Sequence, residues 1–152
     1  MDKNNLKKQL YIEIENLERL VKEIILVTDR FTDTPDFIET RAVGSIVHDF
    51  YCGVEKIFKR IAININSELP RSYDWHTELL LQMARPTETI KTTAISEELL
   101  EKLKEYLRFR HLFRNIYGFE LKWERFKNLS LSAPEVLCEL KDNLNKFMDN
   151  LN

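Results

Sequence analysis

The sequence predicts an all-α fold, an antiparallel bundle of about five helices, and three observations carry that expectation. Apolar residues recur at spacings of three and four over several long stretches, the repeat of helices that each bury one face. Only three glycines and four prolines interrupt 152 residues, too few for the many tight turns of a β-rich fold. Capping residues stand where the apolar runs begin. With 43% hydrophobic and 32% charged residues, the chain reads as a single globular domain spanning 1–152, long enough to bury one sizeable core.

The first helix is expected from Asn5 to about Thr28, with Leu6, Leu10, Ile14, Leu17, Leu20, Val21, Ile24 and Ile25 inward and Lys and Glu on the solvated face. Thr34-Pro35 reads as an N-cap with proline at the first helical position, opening a second helix that runs to about Asn66. Its stripe is Val43, Ile46, Val47, Phe50, Val54, Ile57, Phe58 and Ile61, and Gly44 and Gly53 within it mark close packing against another helix. On the same helix His48, Asp49, Tyr51 and Glu55 are acid–base groups for which the sequence supplies no partner. Ser67–Ser72 breaks the chain before a short third helix, capped by Ser72 or Asp74 and ending near Ala84. His76 in that helix fits either a surface position or a polar cluster facing the Arg110 helix, the surface position being favoured.

Arg85–Ile95 reads as a loop, after which Ser96 caps a fourth helix with Glu97 and Glu98 in its first turn. Tyr106–Phe126, YLRFRHLFRNIYGFELKWERF, is expected to continue that element as one long helix, with Gly118 as a possible bend and 120–129 as a possible separate segment. Helical spacing places Arg110, Arg114 and Tyr117 on one stripe, with His111 and Asn115 beside it. Read on composition alone, this is also what arginines snorkelling at a bundle surface look like. Ser132-Ala133-Pro134-Glu135 has the pattern of a capping box and is expected to open the final helix.

A formal net charge of −2 and a pI near 6.0 exclude a global basic field, so any polyanion binding must be local. Cys52 and Cys138 lack the short spacing of a zinc or redox motif and are read as reduced, which with the absence of a secretory apolar core leads to a cytoplasmic expectation. No apolar run approaches the roughly 18 residues of a membrane span. Glycine-rich phosphate loops, paired metal-binding histidines and nucleophile elbows are absent, and no cofactor or metal is expected.

The segment RAVGSIVHDFYCGVEKIFKRIA followed by RFRHLFRNIYGFEL and KWERF resembles the HepT-like branch of the HEPN superfamily, over about Thr40 to Leu129. The resemblance implies an all-α, homodimeric, metal-independent endoribonuclease scaffold and a toxin–antitoxin role. Its motif is an arginine, a polar residue, a spacer, a histidine and, two residues on, a tyrosine. Arg110 matches the arginine, His111 the polar position and Tyr117 the tyrosine, while Asn115 stands where the histidine is expected. The family mechanism uses that histidine to remove the 2′-hydroxyl proton and the arginine to stabilise charge at the phosphate. An amide does not titrate near neutrality, so the implied activity is weak or absent. The resemblance thus names Arg110, His111 and Asn115 as catalytic positions, Arg110 and Arg114 as RNA contacts, and Tyr117 as the position adenylylated by an MNT-type nucleotidyltransferase antitoxin. The alternative is a non-catalytic helical dimer that binds only a protein partner.

Overall fold

Amphipathic periodicity resolves into five helices, α1 (Lys3–Thr28), α2 (Phe37–Asn66), α3 (Trp75–Met83), α4 (Glu97–Asn115) and α5 (Trp123–Asp149), with a 3-10 turn at Gly118–Glu120. The computed structural model describes residues 2–66, 68–87 and 91–151, so Ser67 of the predicted break and residues 88–90 of the predicted loop lie outside it. Among the described residues there is no strand, and the chain forms the all-α bundle that its apolar spacing implies.

Asp2 caps α1 by accepting from the Asn5 N–H at 3.1 Å, and Leu6, Leu10, Ile14, Leu17, Val21 and Ile24 are buried along one face. α2 opens two residues later than Thr34-Pro35 suggested. Asp36 Oδ1 accepts from the Glu39 N–H at 2.8 Å and Glu39 Oε1 accepts from the Asp36 N–H at 3.1 Å, a reciprocal box that satisfies two of the free amides. α1 and α2 run antiparallel, with Glu13 near Arg60 at 3.7 Å and Leu17 against Gly53, where an added Cβ would lie 2.6 Å from Leu17 Cδ2. Gly44 likewise gives room to Leu121 and Phe126, so both glycines of α2 serve helix packing. α2 is the central element, touching α1, α3, α4, α5 and the 3-10 turn.

After α3 the chain folds back: the amides of Ala94 and Ile95 both donate to the Met83 carbonyl, at 2.9 and 3.0 Å, and both side chains are buried. Ser96 caps α4 through the Leu99 N–H at 3.1 Å, as its position implied, while its own N–H donates to Asn143 Oδ1 at 2.6 Å and ties the start of α4 to the end of α5.

Besides the start of α2, two further expectations fail, both around the 3-10 turn and α5. The long helix Tyr106–Phe126 stops at Asn115, because Ile116 and Tyr117 are extended and Gly118 passes beneath Arg41, whose Nε would be 2.7 Å from a Cβ there. α5 does not open at Ser132 but runs unbroken through Pro134. The Ser132 hydroxyl meets Tyr106 Oη at 3.0 Å instead of capping, and Tyr106 Oη donates to the Leu129 carbonyl at 2.6 Å. Phe126, Ala133, Leu137, Leu140, Leu144 and Phe147 form one buried face across the proline, so core burial on both sides outweighs the single helical hydrogen bond that Pro134 cannot make.

Candidate functional site

The last two turns of α4 lie over the middle of α2 and the start of α3, and three polar residues of different helices meet there. Glu55 of α2 is a charged residue on an apolar stripe, following Tyr51 by four and preceding Phe58 by three, and it is 3% exposed. Its Oε1 is 3.3 Å from Arg110 Nε of α4, and its Oε2 is 2.6 Å from His76 Nδ1 of α3. Arg110 Nε makes no aligned hydrogen bond, so its contact with Glu55 is an ion pair. One buried carboxylate therefore fixes both the arginine and an imidazole.

His76 packs against Trp75 with tilted rings, 3.5 Å between centroids, and meets His111 edge-on at 5.9 Å. Lys59 Nζ lies over the Trp75 ring, 4.7 Å from its centroid. Burial lowers the His76 pKa, with Arg110 and His111 acting in the same direction, and this outweighs the opposing pull of Glu55. The neutral ring is the form favoured at neutral pH. With Glu55 accepting from Nδ1–H, that form carries its lone pair on Nε2.

Around this centre the second layer is apolar or weakly polar. His48 stacks on Phe113 at 4.7 Å, and its pKa is lowered by burial against a weaker opposing effect of Asp49. The Cys52 thiol, 3.7 Å from His48 Nε2, is raised by burial, with Arg110 opposing. The Tyr51 hydroxyl is buried without a hydrogen-bond partner, and its pKa is raised by burial and by Glu55. Both cysteines are free thiols.

The residues singled out from the sequence divide into two groups. Arg110 is buried and held, and His111 and Arg114 are exposed on the following turn, so these three share the end of α4. Asn115, also exposed, donates its amide to the His111 carbonyl at 2.6 Å. Tyr117 does not continue the Arg110–Arg114 stripe. It lies beyond the helix end, 71% exposed and stacked on Phe119 at 5.2 Å with only 7° between the rings. The Glu120 carboxylate holds it there by accepting from the Tyr117 N–H at 3.0 Å.

A family model described as HepT-like protein matches residues 42–151. The chain belongs to the HepT-like family. The match takes in most of α2 and all of α3, α4, the 3-10 turn and α5, reaching further toward the end of the chain than the sequence resemblance did and leaving α1 outside. No curated protein and no solved structure matches the chain. For this HepT-like protein, the residue that the sequence did not join to the Arg110 motif is Glu55, and His76 takes not the favoured surface position but the alternative one, in a polar cluster facing the Arg110 helix. The available signal was Glu55 itself, a carboxylate in the register of the core stripe, which requires a buried cation nearby. Among the described residues, no group of three or more His, Cys, Asp and Glu side chains is placed to hold a metal ion, and no helix is long and apolar enough to cross a membrane.

Proposed function

We propose that this protein is the toxin component of a HepT-type toxin–antitoxin pair, a homodimer that binds RNA through Arg110, His111 and Arg114 and cleaves it slowly without a metal. The observation that supports this most is the position of Arg110 inside the matched family region, fixed by Glu55 beside two imidazoles at the exposed end of α4. Arg110 and Arg114 neutralise the phosphate, and charge developing at a nonbridging oxygen is stabilised by the guanidinium. Asn115 takes the place of the motif histidine. Its amide is occupied with the His111 carbonyl and does not exchange protons near neutrality, which removes a factor of roughly 10²–10⁴ in rate.

Tyr117 is the site at which an MNT-type nucleotidyltransferase partner adds adenylate. Its 71% exposure suits a modified hydroxyl, and the added anion would compete with RNA for the arginines of α4. The alternative, a dimer that binds only protein, is favoured by the exposed Tyr117–Phe119 pair, since aromatic residues and arginine are common at protein interfaces.

RNA binding measured against salt separates the two. For a single strand the logarithmic slope is about −0.7 per neutralised phosphate, so Arg114→Ala should make the slope shallower by about 0.7 while binding persists. A chain that binds no RNA at low salt would leave only the protein-binding alternative.

A further inference from the structure

We propose that His76 is a catalytic residue of this protein, the general base in the slow RNA cleavage assigned above, held in position by Glu55. The inference rests on the RNA-directed reading of the Arg110 face. In the reaction the 2′-oxygen forms a bond to phosphorus and the bond from phosphorus to the 5′-oxygen breaks, giving a 2′,3′-cyclic phosphate and a 5′-hydroxyl. The 2′-hydroxyl proton passes to a base, and the leaving 5′-oxygen takes a proton from an acid. Arg110 supplies charge stabilisation and Asn115 supplies neither proton step, so the chemistry needs two titratable groups beside Arg110.

His76 and His111 are those groups. Their rings meet edge-on with centroids 5.9 Å apart, on opposite sides of the contact between α3 and α4. His76 is tied by Nδ1 to Glu55 Oε2 at 2.6 Å, while the other oxygen of the same carboxylate meets Arg110, so the base and the phosphate contact are set in register by one positioning residue. A carboxylate accepting from Nδ1–H fixes the tautomer whose free lone pair is on Nε2, the form that takes up a proton. His76 therefore removes the 2′-hydroxyl proton, and His111, more exposed, donates to the leaving oxygen. Stability does not account for the cluster. Buried ion pairs are commonly no better than well-packed apolar side chains of the same volume, yet a carboxylate 3% exposed and an arginine 8% exposed occupy the α2–α4 contact. The charged and titratable groups around His76 are Glu55 from α2, Arg110 and His111 from α4, and Lys59 of α2 over the adjoining Trp75 ring.

The test is single-turnover cleavage of an end-labelled single-stranded RNA by the full chain in excess chelator, between about pH 5 and pH 8. His76→Gln is expected to lower the rate roughly 10²- to 10⁴-fold, to leave RNA affinity unchanged, and to abolish the fall in rate on the acid side. Asn115→His placed in the His76→Gln chain is expected to restore cleavage, which a merely damaged fold would not allow. Cleavage by His76→Gln at the unaltered rate, with Arg110→Ala inactive, would overturn the proposal and leave the RNA reading standing. So would salt-sensitive RNA binding by an unaltered chain that never cleaves. Loss of RNA binding and of cooperative melting together in His76→Gln would make His76 a structural residue and overturn the proposal. An unaltered chain that binds no RNA removes both readings.

Discussion

Glu55→Ala leaves Arg110 with a buried positive charge and His76 without its hydrogen-bond acceptor, a change that commonly costs about 3–5 kcal/mol. Urea denaturation should show a lower midpoint with an unchanged slope, whereas a midpoint equal to that of the unaltered chain would mean that solvent reaches Arg110 freely. Protonation acts on the same cluster. His48 and His76 both titrate below their ordinary value of 6.5, so the unfolded chain takes up protons first as pH falls. Their contribution to stability is complete above that value and is lost as pH drops through their folded pKa values. The urea midpoint should therefore be lower at about pH 5.5 than at about pH 7.5, and replacing His76 with Gln should reduce the difference. At this scale the sequence was half legible. A carboxylate on the stripe Tyr51, Glu55, Phe58 announces a buried charge, but its partners lie 21 and 55 positions later in other helices, where helical periodicity has nothing to say.

Helix ends were the least legible elements: a local capping box moved the start of α2 to Asp36, and tertiary contacts shaped the ends between α4 and α5. Extrapolating the helical period from Arg110 through Arg114 put Tyr117 on the same stripe. The chain instead leaves the helix at Asn115: Glu120 captures the Tyr117 N–H in a local cap three residues on, which extrapolating the helical period passed over, and Arg41 crosses over Gly118, a contact that local spacing does not show. Ser132-Ala133-Pro134-Glu135 has every local feature of a helix start, yet α5 continues through it because the buried face from Phe126 to Phe147 is in helical register on both sides. Where no long-range contact competed, as at Ser96, the capping residue was read correctly. The Pro134 position yields a prediction of its own. Pro134→Ala returns an N–H to the helix interior and should raise stability by up to about 3 kcal/mol, visible as a higher melting temperature. A lower melting temperature would mean that the bundle packs around a bend that only proline provides.

For the molecule as a whole, the all-α class and the five helices followed from periodicity, and the family match places the Arg110 site within a HepT-like region that begins in α2. α1 lies outside that region but packs antiparallel along α2, with Leu17 against Gly53 on the helix that carries Glu55, so it stabilises the element from which the site is positioned. The net charge of −2 makes any RNA affinity a property of a local surface, not of the whole chain. On the proposed function, one substitution at the end of α4 separates this protein from an efficient nuclease. Asn115 is exposed on the final helical turn, where a histidine would also be favoured in its charged form by the helix dipole. The most direct measurement is therefore cleavage of single-stranded RNA in excess chelator by the unaltered chain and by Asn115→His, side by side. The predicted result is slow cleavage that rises roughly 10²- to 10⁴-fold in the variant. Rapid cleavage by the unaltered chain that Asn115→His does not increase would contradict the assignment of Asn115 as the impaired position.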